Sequence, residues 1–154
     1  MTPHLEAVMA ALDEQFDATV ALLEPLDSDC LNWRPPAPET NSIAAMVTHT
    51  CGAIDSWLAR ALVETIERNR DAEFEVRADA AGLVGRVERC RADSRRRLEA
   101  LSQIDPATMR AVRRLSRGED QQVTVAWCVE HAIVHAGEHW GQIQLTRQLY
   151  DARA

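Results

Sequence analysis

A long stretch near the carboxyl end constrains the fold more than any other part of the chain. Residues 124–150 contain no proline, and their apolar side chains recur at helical rather than alternating spacing. The stretch also carries three of the five histidines, each four residues after the last: His131, His135 and His139. On a helix, this spacing places the imidazoles along one face. We therefore predict one long helix that presents a row of histidines.

Adjacent histidines of this row predict a metal site, because His pairs at i and i+4 can direct their ring nitrogens at one ion. From the first to the last, the row drifts by about 80° around the helix axis. We therefore expect a third ligand from another part of the chain. A lone histidine in a helix is more often a solvated or hydrogen-bonded residue than a ligand, and that interpretation stays open for each of the three.

Composition narrows the class of protein. A chain of 154 residues with 46% hydrophobic and 27% charged residues is typical of one soluble domain, here spanning 1–154. Seventeen basic residues against 24 acidic ones give a net charge of −7, which argues against nucleic acid or an anionic membrane as a partner. No apolar run reaches transmembrane length and no signal peptide is recognisable, so we expect a cytoplasmic protein. Every basic residue is arginine, which excludes lysine-based covalent chemistry.

The four cysteines are scattered and form no CxxC pair. In a cytoplasmic protein we expect them to be reduced and mostly buried. Cys128 lies three residues before His131 and seven before His135, on the same helical face. It is predicted to be a core thiol, and a role as a ligand or redox group is the alternative.

Three further helices are predicted from apolar residues at helical spacing. The first is capped by Thr2 and closed by Pro25, the second covers residues 43–69 after a cap at Asn41 or Ser42, and the third runs from about Ala80 to Leu101. Together with the histidine helix, capped by Thr124, they predict an all-α four-helix bundle without strands.

The connections are predicted to be irregular. Residues 25–41 are rich in proline, with Trp33 as an anchor against the bundle, and residues 71–80 form a connection with room for one extra turn. A polar loop at 105–122 holds a basic patch that is either plain loop or a guide for an anionic ligand: Arg110, Arg113, Arg114 and Arg117. The charged outer face of the third helix is expected to be solvated rather than an anion-binding strip: Arg86, Glu88, Arg89, Arg91, Asp93, Arg95, Arg96, Arg97 and Glu99.

His49 is the natural third metal ligand. It lies at the margin of the apolar face of the second helix, and it is the one histidine outside the row and away from the amino terminus, where His4 is expected to be solvated. Bundles place metal sites in the core from facing helices, which suits His49 meeting His135 and His139.

Two segments together resemble the DinB-like (damage-inducible) family. They are LNWRPPAPETNSIAAMVTH, with its Trp-x-Pro loop and Asn-Ser cap, and HAIVHAGEHWGQIQLTRQL, with H-x-x-x-H followed by W-G-Q-I. The resemblance implies an up-down-down-up bundle that binds one divalent metal through His49, His135 and His139, with His131 lining the pocket. It also implies a homodimer, and a relation to transferases and isomerases that use low-molecular-weight thiols such as mycothiol or bacillithiol.

Three neutral imidazoles leave the charge of an ion uncompensated and a coordination position open. Such an ion lowers the pKa of bound water to about 7 and deprotonates a bound thiol. The segment HAGEH also fits the inverted metalloprotease motif H-x-x-E-H, with Glu138 as general base. That class needs a further carboxylate ligand well downstream, and only Asp151 is present, so Glu138 is expected to point away from the metal or to orient a neighbour. Gln142 is placed to hydrogen-bond into the site.

These observations predict a metal-dependent enzyme, a thiol-dependent S-transferase acting on a small electrophile. Its cofactor would be Zn²⁺ or Ni²⁺, since imidazole suits both, and its reactive group a metal-bound thiolate or water. The alternatives are a metal-dependent hydrolase, a small-ligand sensor, or a bundle in which the ion only fastens two helices. The last predicts a fourth protein ligand, Cys128 or His131.

Overall fold

The computed structural model describes residues 1–113 and 120–153, and four long helices dominate it. Two short helices and a two-stranded hairpin connect them. In chain order the elements are α1 (Pro3–Leu23), α2 (Ser28–Asn32), α3 (Ile43–Leu62), α4 (Arg70–Glu73), α5 (Ala80–Leu101), β1 (Met109–Arg113), β2 (Asp120–Thr124) and α6 (Val125–Asp151). The predicted all-α four-helix bundle is confirmed.

Each long helix begins at a capping residue, and three of the four caps, Thr2, Ser42 and Thr124, are those that the sequence predicts. At all four starts a side-chain oxygen accepts a hydrogen bond from the backbone amide three residues further on, and the capping residues are Thr2, Ser42, Asp79 and Thr124. Each cap satisfies an amide that the first turn of a helix leaves unpaired.

Contacts between the helices give their directions, beginning with the two antiparallel pairs. Arg91 bonds Asp17 at 2.6 Å while Arg95 bonds Asp13 at 2.8 Å, so α5 runs antiparallel to α1. The rings of His49 and His139 lie 5.0 Å apart, and the Trp57 ring lies 5.2 Å from that of Trp127, so α3 is antiparallel to α6.

The two remaining helix pairs are parallel. Cys90 Sγ lies 3.7 Å from the Cys51 carbonyl oxygen, and Asp55 accepts a hydrogen bond from Arg97 at 2.9 Å, so α3 and α5 share a direction. His4 pairs with Glu130 at 3.0 Å near the start of both α1 and α6, and further along residues 15–19 and 136–143 line the same hollow. These directions establish the predicted up-down-down-up bundle.

The second predicted helix is shorter than expected. It ends at Leu62 rather than at residue 69, because Val63 adopts the left-handed conformation (φ 59°) and its amide bonds the carbonyls of the last turn. The chain then leaves the bundle and forms α4, which occupies the place where one extra turn was allowed. This early exit brings residues 68–74 back beside α3.

A β-hairpin replaces part of the polar loop predicted at 105–122. β1 pairs antiparallel with β2, from Met109 opposite Thr124 to Arg113 opposite Asp120, and Val123 is buried. The expectation of a chain without strands was therefore wrong here. Of the predicted basic patch, Arg110 donates to the Ala61 carbonyl at 2.8 Å, whereas Arg114 and Arg117 lie outside the described residues.

The charged face of α5 is only partly solvated. Arg97 was expected in solvent, but it is 6% exposed and pairs with Asp55 at 2.9 Å and Glu64 at 2.8 Å. Buried charge requires such partners. Arg91 and Arg95 instead bind carboxylates of α1, so much of this face forms ion pairs between helices.

Burial and contacts in the structure test the remaining predictions about single residues. All four cysteines are free and buried, as expected. Trp33 is half-buried against Tyr150, with ring centroids 5.7 Å apart, which fits its role as an anchor. His4 is exposed but pairs with Glu130. Within the described residues, no helix combines the length and apolarity that crossing a bilayer requires.

Candidate metal centre

Helices α3 and α6 bring three histidines to one point. His49, His135 and His139 each offer a ring nitrogen, and these nitrogens all lie within 4.8 Å of one another. We call this group the three-histidine cluster. Its ring centroids are 4.4 to 5.3 Å apart. The i and i+4 pair thus meets a partner from the facing antiparallel helix, and the cluster could bind a metal ion.

Burial keeps two of these imidazoles neutral. It lowers the pKa of His135 to about 3, and the charges of the neighbouring histidines add to the effect. Burial also lowers the pKa of His139. A neutral imidazole keeps a lone pair on one ring nitrogen, and this is the form that binds a metal.

His49 is held by a buried carboxylate that sequence reasoning missed. Its Nδ1–H donates to Glu73 Oε2 at 2.8 Å, and Arg68 donates to both oxygens of the same carboxylate, at 2.6 and 2.8 Å. His49 is 4% exposed and Glu73 8%. With Nδ1 occupied, the lone pair of His49 is on Nε2, so Glu73 sets both the tautomer and the orientation of the ring.

Glu73 remains ionised despite its burial. Burial works to raise the pKa of this carboxyl, but the hydrogen bonds from His49 and Arg68 hold it below its ordinary value. A buried anion against the outer nitrogen of a histidine is the arrangement that proteins commonly use to orient metal ligands and raise their basicity.

The second outer partner was predicted. Gln142 Oε1 lies 2.7 Å from His139 Nδ1, which donates to it and leaves Nε2 with the lone pair. Phe74, which follows Glu73, lies against His49 with ring centroids 4.6 Å apart. Two of the three imidazoles are therefore fixed from outside the cluster.

The ring nitrogens of the three-histidine cluster fit a metal cation. The Nδ1 atom of His135 is buried and has no hydrogen-bond partner among the described residues. Such an atom costs free energy unless something outside the chain satisfies its environment. Three neutral imidazoles within reach of one point suit Zn²⁺ or another ion that favours nitrogen.

His131 lies beside the cluster but outside it. Its ring stacks on Trp127 at 4.6 Å with planes 9° apart, and the Trp57 ring lies 4.5 Å from it with planes 72° apart. The expectation that His131 lines the pocket is not met, since the described residues around the cleft do not include it. The two tryptophans enclose the ring instead.

Cys128 is a core thiol, as predicted. It is completely buried, burial raises its pKa, and the metal-ligating group found among the described residues does not include it. A raised pKa disfavours the thiolate that a metal would need.

The cluster opens into a cleft of about 500 Å³ between α3, α6, the loop before α3 and the α4 segment. Glu138, expected to point away or to orient a neighbour, is exposed on its wall. We call this space the histidine cleft; its walls are formed by Pro35, Glu39, Thr40, Asn41, Met46, His49, Arg70, Phe74, His135, Glu138, His139, Gln142, Leu145, Thr146 and Leu149. It can admit a small molecule.

Known proteins share this architecture. A crystal structure of a DinB-like protein from Bacillus cereus ATCC 10987 has 16% identity and a TM-score of 0.70, covering 95% of this chain and 92% of its own. A conserved protein from Enterococcus faecalis has 18% identity and a TM-score of 0.71, covering 96% and 97%. At these identities the likeness shows the fold alone. No curated protein matches the sequence. The sequence model of the DinB superfamily matches residues 11–143, and the chain belongs to this superfamily.

Proposed function

We propose that the chain is a metal-dependent enzyme that transfers a low-molecular-weight thiol onto a small electrophile. One observation carries the proposal: three imidazoles converge at the base of a cleft large enough for a small molecule. Among the described residues, the convergent group holds three side chains and not four. Structural zinc sites usually have four protein ligands, so three favour a site with an open position.

Different residues of the chain would bind the metal, orient its ligands and exclude water. The three-histidine cluster would hold the ion, Zn²⁺ or Ni²⁺, which when bound supplies a centre that acidifies a thiol. Glu73 and Gln142 fix the rings of His49 and His139. Apolar side chains on the cleft wall (Met46, Phe74, Leu145 and Leu149) reduce access of water to the reacting sulfur.

Turnover of a thiol and an electrophile tests this function. Zinc-loaded protein would be mixed with bacillithiol or mycothiol and 1-chloro-2,4-dinitrobenzene, from which the thiolate displaces chloride as the carbon–sulfur bond forms. A free thiol is only a few per cent ionised at pH 7, so complete ionisation favours a rate roughly 30-fold or more above that of metal-free protein. The product is followed by its absorbance.

The variants His49→Ala and His131→Ala provide the controls. The first should lower the rate to that of metal-free protein, and the second should leave most of it, because His131 lies outside the cluster. Stoichiometric zinc without turnover of any thiol would contradict the transferase and favour an ion that only joins α3 to α6. Hydrolysis of an ester or amide by the same protein would favour the hydrolase. The homodimer stays a prediction.

A further inference from the structure

Arg70 places a permanent positive charge on the wall of the histidine cleft. It is exposed at the start of α4, and it is the one arginine among the described residues that form this wall. Among the side chains that the structure describes, those of residues 1–110 and 121–153, Arg70 takes part in no ion pair, whereas nearby Arg68 is bonded to Glu73. Its guanidinium is therefore available to a ligand.

An aromatic stack fixes this charge beside a predicted metal ligand. The guanidinium carbon of Arg70 lies 5.2 Å from the centre of the Phe74 ring, and that ring lies 4.6 Å from the ring of His49. A cation over an aromatic face is attracted to it, so the side chain is restrained rather than free to swing into solvent. The guanidinium fork is left to bind a planar anion.

The other charged groups of the cleft determine whether it attracts a negatively or a positively charged ligand. Glu39 and Glu138 are both on the wall and both exposed, so water screens them. With a divalent ion bound to neutral imidazoles, the ion and Arg70 carry three positive charges. These exceed the two negative charges of Glu39 and Glu138. A molecule with one negative charge is attracted.

A second hollow extends this positive region. It has a volume of about 410 Å³, and Arg70 lines it as well as the histidine cleft, together with Arg60, Arg68 and one carboxylate, Glu64. Burial lowers the pKa of Arg60, and the nearby charge of Arg68 lowers it further. In a chain with a net charge of −7, three guanidiniums against one carboxylate around one hollow are an exception to the overall acidity.

We propose that the thiol that enters the histidine cleft carries a carboxylate, and that Arg70 binds it. This inference rests on the proposed function and adds the substrate class to it. A guanidinium can bind a carboxylate through two parallel hydrogen bonds, which gives both strength and orientation. Arg70 would thus determine specificity, while the three-histidine cluster would hold the metal ion that binds the sulfur.

Two thiols of equal length test the inference: 3-mercaptopropionate and 3-mercapto-1-propanol. Their affinities for zinc-loaded protein would be measured by titration calorimetry on wild type, Arg70→Ala and Arg89→Ala. Arg89 is the matched control, since it is an exposed arginine on α5 outside the cleft. Charge-assisted hydrogen bonds predict that wild type prefers the carboxylate by about 10- to 100-fold. Arg70→Ala should lose this preference and Arg89→Ala should keep it.

Three other results would contradict the inference, and they differ in what they say about the proposed function. Equal binding of both thiols to wild type would overturn the inference and leave the proposed function intact. A preference that survives in Arg70→Ala would show that the metal binds the carboxylate directly, and would also overturn it. If neither thiol binds protein that retains its zinc, the proposed function fails, and the inference fails with it.

Discussion

At two levels of the same helix pair, α3 and α6, histidines with the same spacing are packed in different ways. At one level of α3 and α6, His135 and His139 meet His49, whose outer nitrogen is bound by a buried carboxylate. One turn earlier on α6, His131 meets two tryptophans, one with its ring parallel to the imidazole and one with its ring steeply inclined to it. Successive histidines of α6 are four residues apart throughout.

The residues opposite on α3 explain this difference. His49 and Trp57 are both on α3, eight residues and so about two turns apart. Where α3 presents an imidazole, the facing pair from α6 becomes a cluster of donors; where it presents an indole, the facing imidazole is packed as an aromatic ring. A histidine row on one helix therefore predicts a site only together with the helix that it faces.

The largest expected effect comes from removing His49. Because His49→Ala leaves two imidazoles on one helix, zinc affinity should fall by more than the roughly 10- to 100-fold that the loss of an outer partner costs. Competition with a chromogenic chelator measures it.

His131→Ala is the matched variant for this comparison. It should bind zinc as wild type does, yet lose about 1–3 kcal/mol of unfolding free energy, because two aromatic contacts disappear. If His131→Ala loses zinc affinity as strongly as His49→Ala, or if His49→Ala retains full affinity, the two levels do not differ in metal binding.

A smaller effect is expected from Glu73→Gln. An amide can still accept the hydrogen bond from His49 but lacks the negative charge that orients and polarises the ring. Zinc affinity should fall by about 10- to 100-fold, the usual cost of altering an outer partner of a ligand.

Glu64→Gln is the control for Glu73, because Glu64 is also a carboxylate bonded to an arginine, Arg97 at 2.8 Å, but lies outside the histidine cleft. It should leave zinc affinity unchanged while lowering stability. Equal zinc affinity in Glu73→Gln and wild type would show that the carboxylate only fills space.

The features that the sequence predicts well are those set by local periodicity. The long helices, three of their four capping residues, and the pair His135 and His139 depend on the pattern within one segment. The third member, His49, could be chosen because few histidines were available and because the family resemblance includes it. Its proximity to the pair is confirmed by the structure.

Features that depend on the path of the chain were missed. Glu73 lies in a segment without periodicity, and it reaches His49 only because α3 ends at Leu62. Neither glycine nor proline marks that end, and Val63 adopts an unusual conformation for a branched side chain. Arg97 looked solvated because its two carboxylate partners come from distant parts of the sequence.

X-ray absorption at the zinc edge of the loaded wild-type protein tests the central claim most directly. We predict three nitrogen ligands at about 2.0–2.1 Å, with an exchangeable oxygen ligand completing the sphere and no sulfur. Addition of 3-mercapto-1-propanol should then introduce one sulfur at about 2.3 Å. A sulfur ligand in the protein alone, or a fourth imidazole, would contradict an open three-histidine centre.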